Sequence, residues 1–546
     1  MKKTAIIRMI VILFTIHCQL LTLSAQTLNV KVGSVTYQFP ASQCGEMTYS
    51  DGATLTIMGK AFTLSDISSM TVDDTKVKDN LVSIVYSGTS AAVTVAGNVA
   101  QYVEPTISGA YVSIAQSNTA AVDDDEITYQ LSGSSTDGQF ALSGSYKCTV
   151  SLAGVDLTCT TGAAIDISNG KRIELSAKKD TENKLTDCAN GSQKACVYSK
   201  GQLQLQGNGT LNVVGNTKHA IKSGDYITVK NLTLNITSAV GDGINCEEYL
   251  QVKSGTVTIS GVGDDGIQCD LGGDSSTGET TDHEDEDSGN IYIEGGTITI
   301  NCTAQDVKGI KGAGDVNITD GTVSITTSGR EAEGMQSKGA FNISGGHVTV
   351  NAYDDAINSA QDLTISGGYV YARATNNDGI DANGNCYIKG GVVYAIGSSS
   401  PEVAIDANSE QQKKLYITGG TIVAVGGLES GASISGGTCK YTSSWTASSW
   451  YALYNGNDLA LAFQTPAKSS SGGGGGPWGG GGPGGGGGSS QQLVVYTSST
   501  PNLQSGVTVS DGMEYFGGMA NIGGTVSGGS SVTLSTYSGG NSGHSY

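Results

Sequence analysis

The centre of the chain reads Gly255-Thr-Val-Thr-Ile, Gly296-Thr-Ile-Thr-Ile, Gly321-Thr-Val-Ser-Ile, Gly346-His-Val-Thr-Val, Gly368-Tyr-Val-Tyr-Ala, Gly391-Val-Val-Tyr-Ala and Gly420-Thr-Ile-Val-Ala. The leading glycines lie 41, 25, 25, 22, 23 and 29 residues apart. Such a period marks one supersecondary unit per repeat, stacked on its neighbours because none can bury its apolar face alone. Within each run the apolar positions alternate, as at Val257 and Ile259 or Val348 and Val350, so one face is buried and one is wet. A second alternating strand precedes the next glycine pair, as in Ile291-Tyr-Ile-Glu, Val316-Asn-Ile-Thr, Leu363-Thr-Ile-Ser and Leu415-Tyr-Ile-Thr. Helical spacing is absent, and a propeller blade would need about 40 residues and four strands. The reading is an all-β, right-handed parallel β-helix over residues 80–440. A small N-terminal β segment (26–79) precedes it, and a C-terminal β cap (441–546) with a Gly-rich loop at 469–490 follows.

Between the two strands of each repeat sits an acidic motif that ends in Gly-Ile or Ala-Ile. It appears as Gly241-Asp-Gly-Ile, Asp264-Asp-Gly-Ile, Asp306-Val-Lys-Gly-Ile, Glu331-Ala-Glu-Gly-Met, Asp354-Asp-Ala-Ile and Asn377-Asp-Gly-Ile-Asp, fading to Glu402-Val-Ala-Ile-Asp. The Ile or Met anchors the core and the small residue permits the bend. Folding alone does not require the carboxylates. With coils about 4.8 Å apart, Asp242 and Asp265 should stack, as should Glu333, Asp355 and Asp378. Like charges that close need neutralising, and Ca²⁺, a hard oxygen-seeking cation, would do it.

Fifty acidic against 29 basic residues give a net charge of −21, which excludes nucleic acid as a partner class. A polyanionic sugar would need bridging cations. The first residues read as a bacterial secretory signal, with Lys2, Lys3 and Arg8, an apolar run from Ile10 to Phe14, and a cleavage site after Leu23-Ser24-Ala25. Export to the cell surface, medium or periplasm is expected. Nothing else approaches the roughly 20 apolar residues of a membrane span.

Ten of the 11 cysteines follow the expected cleavage site. Cys188 and Cys196 flank a short polar loop and are the first disulfide expected, with Cys148 and Cys159 a weaker pair. Cys246 and Cys269 fall one coil apart, either bridged or stacked as thiols. Cys386 occupies an inward column with Ile291, Val316, Phe341 and Leu363 and reads as a core thiol. The insertion from Gly272 to Ser288 carries seven ionisable residues around His283 and reads as a solvated loop, or as a flap that lends ligands to a cation at Asp264 and Asp265. Trp445 and Trp450 read as cap core.

Parallel β-helices host pectinolytic enzymes, but the Gly-His-Gly and Arg-x-Lys series of polygalacturonases is absent. A Ca²⁺-dependent uronate lyase would need a base, for which Lys308, Lys311, Arg330 and Arg373 are candidates. The acidic motif recurs in nearly every coil, which suits a metal ladder better than one active site. For binding, Tyr371 with Tyr394 and Tyr387 with Tyr416 fall in outward columns on adjacent coils. They could stack on sugar rings or be ordinary cross-strand pairs.

The iterated Gly-Gly-x-Ile/Val-x-Ile with Asp-Gly-Ile and Asp-Asp-Ala-Ile-Asn resembles the secreted bacterial carbohydrate-binding domain proteins of β-helix fold. Leu152-Ala-Gly-Val-Asp-Leu-Thr, Asn183-Lys-Leu-Thr-Asp and the cap's Phe463-Gln-Thr-Pro join that resemblance. It implies a polysaccharide-lyase-like fold, calcium binding, and a plant cell-wall polysaccharide partner, cellulosic or polygalacturonate, bound without cleavage. Carried over residue by residue, it implies metal ligands at Asp242, Asp264, Asp265, Asp354, Asp355, Asp378 and Asp381. Lys308 and Val403 depart from the pattern, which implies coils without a site there.

Overall fold

The computed structural model describes residues 26–45, 47–272, 283, 286–398, 402–467 and 491–537. The proposed signal segment, the Gly-rich loop and most of the acidic insertion lie outside the described residues. The described chain is 57% strand and 3% helix and winds as a parallel β-solenoid, of about 12 turns in all. It divides into two compact units: Met1–Glu247 with Gly272–Asp287, and Glu248–Leu271 with Ser288–Tyr546.

In the first unit, Thr27–Val32 pairs antiparallel with Val35–Pro40 and with Ile67–Asp73. Val35–Pro40 then pairs parallel with Ser90–Ala96, so the N-terminal segment lies on the first coil. Ser90–Ala96 also pairs antiparallel with Leu81–Ser87, and Val103–Ser108 with Ala110–Gln116; beyond these the ladders of this unit are parallel. Cys148–Thr158 pairs with Ile173–Ala177, which pairs with Leu203–Gly207 and then Ile227–Lys230.

In the second unit each coil has three strands. The two anticipated from the glycine runs form the ladders from Tyr249–Val252 to Leu415–Ile417 and from Thr256–Ser260 to Thr421–Val425. The acidic motif contributes a third, not anticipated as a strand: Ile267–Asp270, Lys308–Gly312, Glu333–Ser337, Ile357–Ser359 and Ile380–Ala382 in register. Its apolar and small residues alternate over three to five positions, enough for a ladder once the neighbouring coil supplies the partner. The inward column Ile291, Val316, Phe341, Leu363 and Cys386 is completely buried, as its alternation predicted.

Glycine is required at the bend between two of the strands. Gly346 has φ +76°, and a Cβ there would sit 2.8 Å from the Gly321 carbonyl oxygen of the preceding coil. A side chain would therefore meet both a left-handed backbone and a steric wall.

Past Thr421–Val425 the parallel register stops. Leu493–Thr497 returns antiparallel against that strand and against Thr438–Thr442. A six-stranded antiparallel sheet follows, built on Trp450–Asn455, Asp458–Gln464 and Pro501–Ser510. Its core gathers Tyr451, Leu453, Leu461, Phe463 and Phe516, with Trp445 packed against it. Among the described residues no helix is long and apolar enough to cross a membrane.

The expected disulfides are not formed at Cys188, Cys196, Cys148 or Cys159, whose thiols are free. Cys196 points into the coil from Ala195–Ser199 and is fully buried, whereas Cys188 lies half-exposed outside any strand. Short sequence separation did not bring the two Cβ vectors face to face, which a disulfide requires. Cys246 and Cys269 are both buried.

Candidate cation and glycan sites

The first aspartate column lies at the bend before the third strand, and its carboxylates have a structural task. In the second unit, Asp265 Oδ1 accepts the backbone N–H of Lys308 at 2.7 Å, one coil on. Asp355 Oδ1 accepts the N–H of Asp378 at 3.0 Å, and Asp378 Oδ1 accepts that of Val403 at 2.5 Å. Each carboxylate thus satisfies a peptide group that the bend leaves without a ladder partner. These bonds, not anticipated from the sequence, give the side-chain oxygens a structural part whether or not they are charged. In the first unit, His219 takes the same part: its Nδ1 accepts the N–H of Asp242 at 3.1 Å.

The second oxygen of each acid meets a donor from the outward column of the third strand. Asn245 Nδ2 donates to Asp242 at 2.7 Å, Lys311 Nζ to Asp265 at 3.0 Å, and Asn358 Nδ2 to Asp355 at 3.0 Å. Lys308, where the column acid is missing, sits between acids instead, with its ammonium 2.7 Å from Asp306 and 3.6 Å from Glu333. Lys311 thus sets a positive charge directly beside Asp265. Asp264 beside it is exposed and Asp354 half-buried.

Toward the C-terminal coils the donors give out. The outward column passes from Asn358 to Asp381 in register. The bridge of Ile380 to Ile405 brings Asp406 into line next, and the bridge of Ile405 to Leu428 brings Glu429 after it. Asp378, Asp381 and Asp406 each offer a carboxylate oxygen within 4.8 Å of the others, at largely buried positions. Burial, with the neighbouring acids, pushes Asp355 up to about 8, Asp378 to about 7 and Asp381 to about 6. Asp406 is raised well above the carboxylate range, first by burial and then by its hydrogen bond with Glu429. Three desolvated carboxylates so close are oxygen donors of the kind a hard cation takes. Asp406 was not among the expected ligands. Its signal was the Ala-Ile-Asp at residues 404–406, which repeats the Gly-Ile-Asp at 379–381.

Neither of the two lysines considered for lyase chemistry is poised to take a proton. Burial alone would lower Lys308 and Lys311, but Asp306 and Glu333 around the first and Asp265 beside the second hold both above the ordinary lysine value. Arg330 pairs with Glu331 at 2.9 Å. A base needs the reverse shift.

The two tyrosine columns have different fates. Tyr371 and Tyr394, expected to offer a sugar platform, are 1% and 0% exposed beneath the cap. Tyr394 stands edge-on to Tyr371 and to Phe463, and its hydroxyl donates to the Gln464 carbonyl at 2.8 Å. They are core residues of the cap junction, which corrects that assignment. Tyr387 and Tyr416 remain on the outer face, half-buried and stacked at 5.1 Å with an interplanar angle of 11°. The Lys389 ammonium lies 4.9 Å from the Tyr387 ring centre.

This is a repeat β-solenoid with an outward acid column and an aromatic pair on a rigid face. The carbohydrate-binding domain-containing protein family matches residues 108–379. The resemblance read from the repeats is thereby borne out for that segment. A carbohydrate-binding domain-containing protein of Acetivibrio thermocellus is 29% identical over 119 residues, 19% of this chain. The match spans 42% of that relative's length. A solved polysaccharide lyase-like protein from C. thermocellum, in a gadolinium derivative, shares 21% identity at a TM-score of 0.37, covering 48% of this chain and 96% of the other.

Proposed function

We propose that the protein is exported and binds an acidic or cellulosic polysaccharide without cleaving it, with calcium held at the C-terminal coils. The family match over residues 108–379 carries the carbohydrate-binding part. Asp378, Asp381 and Asp406 support the cation, because each offers a carboxylate oxygen within 4.8 Å of the others. Calcium there would offset most of their mutual repulsion, and with about 6–8 oxygen positions to fill it would keep some open for a uronate carboxylate. The Tyr387–Tyr416 stack supplies flat apolar surface for the C–H face of a sugar ring. The raised Lys308 and Lys311 support binding over elimination.

The test is retention of the mature protein on immobilised polygalacturonate and on cellulose, with calcium and with chelator. Calcium-dependent retention that the Asp381→Asn/Asp406→Asn double variant loses is the expected result. Failure to retain on either matrix, or release of an unsaturated uronate product absorbing in the ultraviolet, would refute it.

A further inference from the structure

The C-terminal cap holds a cleft of about 450 Å³ that the solenoid site does not use. We propose that it is a second glycan subsite, selecting the carboxylate-bearing residue of an acidic polysaccharide; this rests on the carbohydrate-binding reading above. Its volume is within the range of small-ligand sites, roughly 300–1,000 Å³.

The lining is unusual for this chain. The protein has 50 Asp and Glu against 29 Lys and Arg, yet no carboxylate lines the cleft and one cation, Lys440, does. Lys440 stands half-buried on Thr438–Thr442, without an ion-pair partner among the described residues. A lysine kept partly out of water and away from acids is a site for an anion, attracted across a surface whose net charge would otherwise repel it.

The other walls narrow the anion to a sugar acid. Tyr454 contributes an aromatic ring and Leu503, Val532 and Leu534 an apolar floor. Asn502 is pinned by donating to the Gly456 carbonyl at 2.8 Å, which fixes the turn that forms one wall. The Gln504 side-chain amide, on the same strand, has no hydrogen-bond partner among the described residues. A uronate presents one carboxylate, several hydroxyls and an apolar C–H face. Those three chemistries match Lys440, the carboxamide and the tyrosine ring in that order. A bare phosphate or sulfate would use only the first.

The experiment is calorimetric titration of the mature full chain with a soluble oligogalacturonate and with a cello-oligosaccharide of equal length. Wild type, Lys440→Gln and Asn457→Asp are compared, each with calcium and with chelator. Removing or opposing the cation should weaken oligogalacturonate binding about tenfold, leave the neutral sugar unchanged, and do so in chelator as well. Asn457→Asp keeps the side-chain size at an exposed position of the cleft lining and leaves the Asn502 bond to Gly456 in place, so it serves if Lys440→Gln disturbs the cap. Unaltered oligogalacturonate affinity in both variants overturns the cleft and leaves the solenoid reading standing. Full competition by millimolar inorganic phosphate also overturns it, as a general anion site. A wild type that binds neither oligosaccharide overturns both readings.

Discussion

Asp378 accepts the backbone N–H of Val403 at 2.5 Å while its own N–H donates to Asp355 at 3.0 Å. One residue type therefore does two things in the same column: it closes the bend of the next coil, and where donors run out it accumulates charge.

The first role predicts a difference between two substitutions at Asp355. Asp355→Ala leaves the buried N–H of Asp378 without an acceptor and should cost about 1–3 kcal/mol. Asp355→Asn keeps an amide oxygen for that bond and relieves an unfavourably buried charge, so its loss should be smaller, or reversed at neutral pH. Urea denaturation of both variants measures this. Equal losses would show that the bond is incidental.

The second role predicts how stability depends on pH. Asp381, Asp378 and Asp355 have folded pKa values of about 6, 7 and 8, above their ordinary 3.8. Groups raised on folding contribute stability that is full below about pH 4 and is lost as pH climbs through the folded values. Without calcium, the protein should therefore weaken between about pH 4 and pH 8, the interval from the ordinary value to the highest folded one. Calcium competes with those protons, so its stabilising effect should grow over the same window, reaching about 2.7 kcal/mol at a hundredfold excess over Kd. Thermal melts at several pH values with and without calcium test this. A calcium effect independent of pH would be incompatible with binding at Asp378, Asp381 and Asp406.

The tyrosines separate stability from binding. Tyr371→Ala empties a fully buried position and should cost about 3–5 kcal/mol, by analogy with other large aromatic truncations. Tyr416→Ala removes a ring from the open stack and should cost less than about 1.5 kcal/mol in stability. It should nonetheless weaken retention on polysaccharide several-fold. Denaturation and affinity electrophoresis of the same two variants would distinguish them. Undiminished retention of Tyr416→Ala would mean that the stack only braces its coils.

Thiol chemistry checks the cysteine arrangement. In the native protein Cys188 should label with a thiol reagent while Cys148, Cys159 and Cys196 remain protected, because only Cys188 is not fully buried. Burial raises its pKa, so labelling should be slow at neutral pH. Mass mapping after alkylation reads it out. A native Cys188–Cys196 peptide pair would refute the free-thiol arrangement.

The repeat was legible because each coil writes the same inward pair, and the column from Ile291 to Cys386 needed only alternation to be found. The outward face was harder. Alternation says that Tyr371 points away from its own coil, but not that Phe463 and Phe516, far along the chain, come back to cover it. The acid column was read as a stack of charges in need of a cation, without the backbone N–H groups that its oxygens accept. Its backbone partners become visible only when Asp265 and Lys308 are aligned coil on coil. Asp406 was missed for the opposite reason: its motif had faded around Val403, although the register still carried it into line.

The strand Leu493–Thr497 runs against the grain of every coil before it. A parallel coil offers its successor an identical edge, and such an edge would accept another chain's first coil as readily as its own next one. The reversed strand occupies that edge with the wrong polarity for continued winding. In the first unit, Thr27–Val32 and Val35–Pro40 pair antiparallel with each other, the second lying parallel on Ser90–Ala96. Loss of the reversed strand in the second unit would leave the edge of Thr421–Val425 open to pairing with another chain.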